Sequence, residues 1–305
     1  MSTPPSRPRI LVIRGGAIGD FILTLPAIRL LREGLPDPQL EILGYPGITS
    51  VATMAGFADR LRSIEHGALA PFFAPGAKLD PDLCDYFASF QLVLSYLYDP
   101  DGFFAANLER AGVKTLLKGP HRMDESKGVP AATQLALPLQ DLALYLEHPW
   151  VSLGLPLPET RSPVIAFHPG SGSPRKNWGY ERWVELATLL KAESYLVLSG
   201  EAERETIGDL LDLMRSRHLK FEHLAGVPLT DVATALTGCR LYIGHDSGIS
   251  HLAAACDLPC VVLFGHTAPE IWAPKNPGVR VLRAPEGQLA ALPPREVAAT
   301  VRSLM

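Results

Sequence analysis

Asp246, Ser247, Gly248 and His251 fall close together in LYIGHDSGISHLAAACDLPCVVLF, the stretch from Leu241 to Phe264. A carboxylate, a serine hydroxyl, a glycine that lets a ligand approach the backbone, and an imidazole grouped at one helix entrance suit a ligand site. Asp and Ser are equally the types that cap a helix, accepting from N–H groups the first turn leaves unpaired. A second group lies in HPGSGSPRKNWGYERW, from His168 to Trp183. Its small residues, Ser171 and Gly172 among them, leave backbone N–H groups able to converge on phosphate oxygens. Lys176, or Arg175, adds a full positive charge. The spacing is not that of a P-loop, because G-x-x-x-x-G-K-[ST] is absent. In SGEAERE, Ser199 to Glu205, Glu201 stands where an acidic residue can accept both hydroxyls of a ribose. It fits an ordinary helix-start acid equally well, and Glu203 and Glu205 read as solvated helix surface. Near the N-terminus, Arg14-Gly15-Gly16-Ala17-Ile18-Gly19-Asp20 forms a glycine-rich turn ending in a carboxylate that is either a helix cap or a chemical group.

Each group sits where an apolar strand gives way to a helix. Ile10–Ile13, Val164–Phe167, Tyr195–Leu198 and Leu241–Ile243 are short apolar runs, and each precedes one of these turns. Open α/β sheets bind ligands at such strand ends, and a helix N-terminus offers an anion its free N–H groups and partial positive charge. The alternation predicts further strands at Leu40–Leu43, Leu61–Ile64, Leu92–Leu97, Lys114–Leu117, Phe221–Leu224, Cys260–Phe264 and Val279–Leu282. Helices are expected near Ile48–Met54, Asp82–Phe87, Gly102–Ala111, Ala131–Leu146, Tyr180–Lys191, Ala202–Arg217, Leu229–Thr237, Thr267–Trp272 and Pro294–Leu304. Pro26 either kinks the helix after Asp20 or begins it. The proline-rich stretch from Ser152 to Pro163 reads as a linker. The expected domains are therefore residues 1–152 and 164–305, joined by 153–163, with the C-terminal helix able to pack back on the first.

A chain of 305 residues is long for one core and suits two domains. It is 47% hydrophobic and 20% charged, the balance of a globular protein. A net charge of −4 argues against a general nucleic-acid binder, which needs a clustered basic surface. Cys84, Cys239, Cys256 and Cys260 lack C-x-x-C spacing and suit a reducing compartment. MSTPPSRPRI has no apolar signal core, so the cytoplasm is the expected location.

ILVIRGGAIGDFILTLPAIRLLRE, FHPGSGSPRKNWGYERWVELATLL and YIGHDSGISHLAAACDLPCVVLFGHTAPEIWAP together resemble the signature regions of glycosyltransferase family 9, the ADP-heptose–lipopolysaccharide heptosyltransferases. They occur in the family's order, and the resemblance is weakest between about Tyr45 and Thr160. It implies a GT-B fold, in which two Rossmann-like domains face each other across a cleft. It implies an inverting, metal-independent transfer of a heptose or related sugar from an ADP-sugar to a lipopolysaccharide-core or other glycan acceptor. The ADP-sugar is a co-substrate, and no cofactor or metal is expected. Carried over by position, Asp20 is the general base. Ser171, Gly172, Lys176, Ser247 and Gly248 hold the diphosphate, and Glu201, Asp246 and His251 contact nucleoside and sugar. Arg14 and Arg122 are acceptor-side candidates, with Arg60, Arg62, Lys118, His121 and Lys127 behind them. A lipid-linked acceptor implies peripheral contact with the inner leaflet of the inner membrane, and a monomer is expected. Alternatives on the same fold are a nucleotide-sugar epimerase or hydrolase, or a catalytically silent nucleotide-binding relative.

Overall fold

The computed structural model describes residues 7–173 and 176–305, so Arg175 lies outside the described residues. The chain divides into two compact units. One holds the residues up to Asp124 together with Ala131–Pro149; the other holds Glu125–Pro130 and Trp150–Met305.

In the first unit the strands are β1 (Arg9–Arg14), β2 (Gln39–Gly44), β3 (Arg60–Ser63), β4 (Leu92–Ser95) and β5 (Leu116–Lys118). They are all parallel, in the order β3-β2-β1-β4-β5. The helices are α1 (Ile18–Gly34), α2 (Pro46–Met54), α3 (Pro81–Ala88), α4 (Phe103–Arg110) and α5 (Ala131–Ala136). A strand buried on both faces reads as an unbroken apolar run, as Ile10–Ile13 does. Helix α1 is buried continuously from Phe21 to Ile28, and Pro26 falls inside it rather than at its start. The order reverses between β1 and β4, so the carboxyl ends of those strands open the crevice where such sheets hold ligands.

Between β5 and the crevice, Gly119 packs directly on the buried ring of Tyr96. A Cβ there would come within 2.2 Å of the ring carbons. Tyr96 cannot retreat easily, since its hydroxyl donates to Leu135 O at 2.7 Å. Gly119→Ala should therefore cost about 1–3 kcal/mol through overpacking, read as a lower denaturant midpoint at an unchanged slope. An unmoved midpoint would show that the ring has room to shift.

The second unit repeats the scheme with one strand more. Its strands are β6 (Ile165–His168), β7 (Tyr195–Ser199), β8 (Phe221–Ala225), β9 (Leu241–His245), β10 (Cys260–Phe264) and β11 (Val279–Arg283). They pair in parallel as β11-β10-β9-β6-β7-β8. Read from β8, this is the doubly wound dinucleotide-fold order, with its switch point between β6 and β9. The helices are α6 (Tyr180–Leu190), α7 (Ile207–Ser216), α8 (Leu229–Thr237), α9 (Gly248–Ala255), α10 (Pro269–Trp272) and α11 (Pro294–Arg302).

Some expectations change. The helix expected over Ala131–Leu146 stops at Ala136, and a 3-10 segment runs from Leu137 to Leu142. Pro138 lacks the N–H that an α-helix would use there. The helix expected over Ala202–Arg217 is a 3-10 turn at Glu201–Glu203 followed by α7. In the C-terminal helix α11, Val297, Ala298 and Val301 join a cluster with Trp178 and Trp183 of the second unit. The proline-rich segment lies along the second unit, where Leu153 N donates to Ala255 O and Arg161 donates to Asp257 O. Among the described residues no helix is long and apolar enough to cross a membrane.

Candidate functional site

At the switch point of the second unit, β6 ends in His168 and β9 in His245. The Gly/Ser loop leaves the first strand and Asp246-Ser247 leaves the second, so residues some 70 positions apart meet. Lys176 Nζ lies 2.6 Å from Asp246 Oδ2. Thr267 Oγ1 donates to the same oxygen at 2.8 Å. The Asp246 side chain is 10% exposed and the Lys176 side chain 29%, so the pair is shielded but reachable. Asp246 is anchored by its own N–H, which donates to Leu263 O on β10 at 3.2 Å. Ser247 is the N-cap residue of α9 but makes no side-chain cap bond. The pure capping reading of Asp246 and Ser247 therefore fails: the carboxylate is turned to a lysine, and the hydroxyl is turned to His168.

The loop is held from beneath by His245, which is fully buried. Its Nε2 accepts from Trp178 N at 2.8 Å, and its Nδ1 lies 3.4 Å from Gly170 O. One neutral ring with its proton on Nδ1 satisfies both contacts. Burial pushes the imidazolium form down to a pKa of about 3. Ser171 spends its hydroxyl inside the loop, 2.7 Å from both Ser173 O and Asn177 Oδ1. It shapes the loop through these internal contacts. Gly172 is exposed, and a Cβ there would meet open space.

Glu203 is the residue the sequence reading misplaces. It is buried, not a solvated helix acid. Its Oε2 accepts from Gly200 N at 2.8 Å and lies 3.8 Å from His168 Nε2. Burial pushes this carboxyl up, yet the contacts with His168 and the Gly200 N–H outweigh it and hold it below the usual carboxylate range. Glu201, by contrast, is exposed and faces Arg204 at 3.9 Å. Gly248 opens α9, and His251 is buried within that helix. Sequence reasoning missed His168, His245, Glu203 and Thr267 as site residues. A histidine closing each of two neighbouring apolar strands was the available signal.

In the first unit, Gly16 turns the chain at φ +102° between β1 and α1, where a Cβ would sit 2.8 Å from Asp20 Oδ2. Asp20 occupies the third helical position and accepts from Ala17 N at 3.1 Å, so it does cap α1. Its other oxygen lies 3.6 Å from the Arg14 guanidinium, and the Asp20 side chain remains 42% exposed. Capping thus occupies one carboxylate oxygen and leaves the other facing Arg14. Arg14 is buried, with its guanidinium 5.5 Å from the centre of the Tyr96 ring, so it backs Asp20 instead of forming acceptor surface. Arg122 is exposed beyond β5. A cavity of about 260 Å³ opens at the ends of β4 and β5, lined by Ser95, Tyr98, Asp99, Lys118 and His121. Arg62 lies over the Tyr86 ring at 4.1 Å.

The family model for glycosyltransferase family 9 (heptosyltransferase) matches residues 129–296, more than half of the chain. Lipopolysaccharide heptosyltransferase 2 of Escherichia coli K12 is 35% identical over 126 residues, covering 40% of this chain and 36% of that protein. Lipooligosaccharide heptosyltransferase 2 of Haemophilus influenzae is 31% identical over 132 residues, covering 42% and 38%. These alignments span less than two thirds of the relatives' own length. The structure of E. coli heptosyltransferase WaaC with ADP superposes with a TM-score of 0.75 at 20% identity, over 97% of this chain and 100% of that one. At that identity the likeness carries the fold, and the fold is GT-B. The matched residues include both turns of the second unit's switch point, and on that ground the chain belongs to glycosyltransferase family 9.

Proposed function

We propose that this protein transfers a heptose, or a related sugar, from an ADP-sugar to a lipopolysaccharide-core or other glycan hydroxyl, with inversion and without a metal. The observation that carries this is the Lys176–Asp246–Thr267 cluster beside a helix entrance left uncapped by Ser247. A nucleoside diphosphate brings negative charge and a sugar brings hydroxyls, and the cluster offers a partner for each. Relatives named as heptosyltransferases support the same donor and acceptor class.

In the transfer, the Asp20 carboxylate takes the proton of the acceptor hydroxyl as its oxygen attacks the anomeric carbon. The bond from that carbon to the diphosphate breaks, and the ADP leaves with the bonding electrons. Lys176 and the N–H groups at the start of α9 meet the charge that develops on the leaving group, so no general acid is required. The ADP-sugar is consumed as co-substrate, and no resident cofactor takes part. The acceptor belongs with the first unit, where the Lys118 and His121 cavity and the exposed Arg122 suit an acidic, lipid-linked glycan. A monomer working in the cytoplasm at the inner leaflet fits that substrate.

Calorimetric titration tests the donor assignment. ADP should bind in preference to UDP, GDP and CMP. Lys176→Ala should weaken ADP by about 1–3 kcal/mol, the value of a lost charge-assisted hydrogen bond. The same substitution leaves Asp246 facing the diphosphate with only Thr267 to offset it. Lys176→Ala should therefore cost less in an Asp246→Asn background. ADP affinity indifferent to Lys176 would remove the phosphate role, and absence of binding would remove the donor reading.

A further inference from the structure

Ser247, His168 and Glu203 form a continuous line of polar groups through the second unit. Ser247 Oγ lies 3.3 Å from His168 Nδ1, and His168 Nε2 lies 3.8 Å from Glu203 Oε2. His168 is 6% exposed and Glu203 is 4% exposed, so water does little to screen the pair. The line continues beyond Ser247 through Ser250 Oγ at 3.4 Å to the Tyr242 hydroxyl, a further 3.0 Å away. Ser250 also donates to His245 O, which fixes the far end.

The ring's two nitrogens make this line a proton-dependent device. Glu203 can only accept when ionised, so Nε2 carries a proton in either state of His168. With the ring neutral, Nδ1 is a bare acceptor and draws the Ser247 hydroxyl proton towards itself. Ser247 then presents only lone pairs outward, and these repel an anion. With the ring protonated, Nδ1–H donates to Ser247 Oγ, and the hydroxyl proton is released to donate to a phosphate oxygen. We propose that binding of the donor's diphosphate takes up one proton on His168, through the Glu203–His168–Ser247 relay. The inference rests on the donor reading above and extends it from where the diphosphate sits to how its affinity depends on pH.

The charged and titratable groups around the ring fit this assignment. From the turn after β7, Glu203 sets a negative charge beside it. From β9, His245 is held neutral by burial, and Tyr242 is pushed up by burial and stays protonated. Asp246 and Lys176 offset each other at 2.6 Å, and His251 is buried on α9.

The test is calorimetric titration with ADP-glucose, whose esterified pyrophosphate has no titrating monoester oxygen, in buffers of different ionisation enthalpy between about pH 6 and 8. The wild-type protein should take up a fraction of a proton that approaches about one, with affinity falling up to about tenfold per pH unit as pH rises. His168→Gln should abolish the uptake. Glu203→Gln removes the counter-charge and should shift the uptake to lower pH. Ser247→Ala leaves the buried pair in place and should lose most of the uptake. Binding without proton uptake in the wild type overturns the relay and leaves the donor reading standing. Uptake retained in full by Ser247→Ala overturns it too, because the ring would then sense the diphosphate directly. No binding of ADP-glucose overturns both readings.

Discussion

Replacing Asp20 by Asn lowers turnover by about 10²–10⁴-fold, the usual contribution of a general base. ADP affinity stays unchanged within the half kcal/mol or so expected away from a binding contact. The substitution is chosen for what it preserves. The amide oxygen can still accept from Ala17 N, the contact by which the carboxylate closes the first turn of α1. The fold and the glycine turn are therefore retained, and the lost property is the ability to take a proton. The proposed donor groups lie in the other unit, on a different part of the chain from this carboxylate. Initial rates of sugar transfer, with calorimetry of ADP on the same preparations, separate the two effects. A variant with full turnover would exclude Asp20 as the base. A variant whose ADP affinity fell in parallel with its rate would make Asp20 a structural residue.

The sequence showed the architecture clearly because parallel strands covered on both faces leave short apolar runs with sharp ends. β1, β6, β9 and β10 are such strands, and each was delimited to within two residues at either end. Boundaries failed where local chemistry interrupted a good helical pattern. Pro138 ended the helix after Ala136, and the break near Glu203 was hidden because every residue from Ala202 to Arg217 is compatible with a helix. That second failure propagated into the site. An acid on a continuous helix reads as surface, whereas an acid in a 3-10 turn at a strand end is carried inward against Gly170 and His168.

The site itself was half legible. Asp20, Lys176, Asp246 and Ser247 stood out as polar residues in or just after glycine-containing turns that follow apolar strands, although capping explained three of them equally well. Their partners did not, since a terminal strand residue such as His168 or His245 looks like the last member of a buried run. What distinguishes these histidines is the group each ring reaches: His245 bonds Trp178 N, 67 positions away, and His168 meets Ser247, 79 positions away. No local pattern encodes those meetings. They follow from the β6–β9 pairing, which sets Phe167 beside Ile243 and His168 beside Gly244.

His245 carries the second large expectation, a change in the acid limb of stability. In the folded protein its ring stays neutral down to a pKa of about 3, whereas in the unfolded chain it protonates near the ordinary histidine value of about 6.5. The unfolded state therefore binds the proton first as pH falls. Stability from this group is complete above about pH 6.5 and is lost at up to about 1.4 kcal/mol per pH unit down to pH 3. His245→Leu removes that slope but leaves Trp178 N and Gly170 O buried without their partner, at a cost of about 2–4 kcal/mol at neutral pH. Urea unfolding of both proteins across pH 4 to 7.5 should give curves well separated at neutrality that converge by about pH 4 to 5. Carboxylates held low in the fold, Asp59 and Glu203, add acid loss to both proteins and cancel in the difference. Parallel curves would mean that the ring takes up its proton equally readily in the folded and unfolded chain, and the loop bearing Lys176 would then need another support.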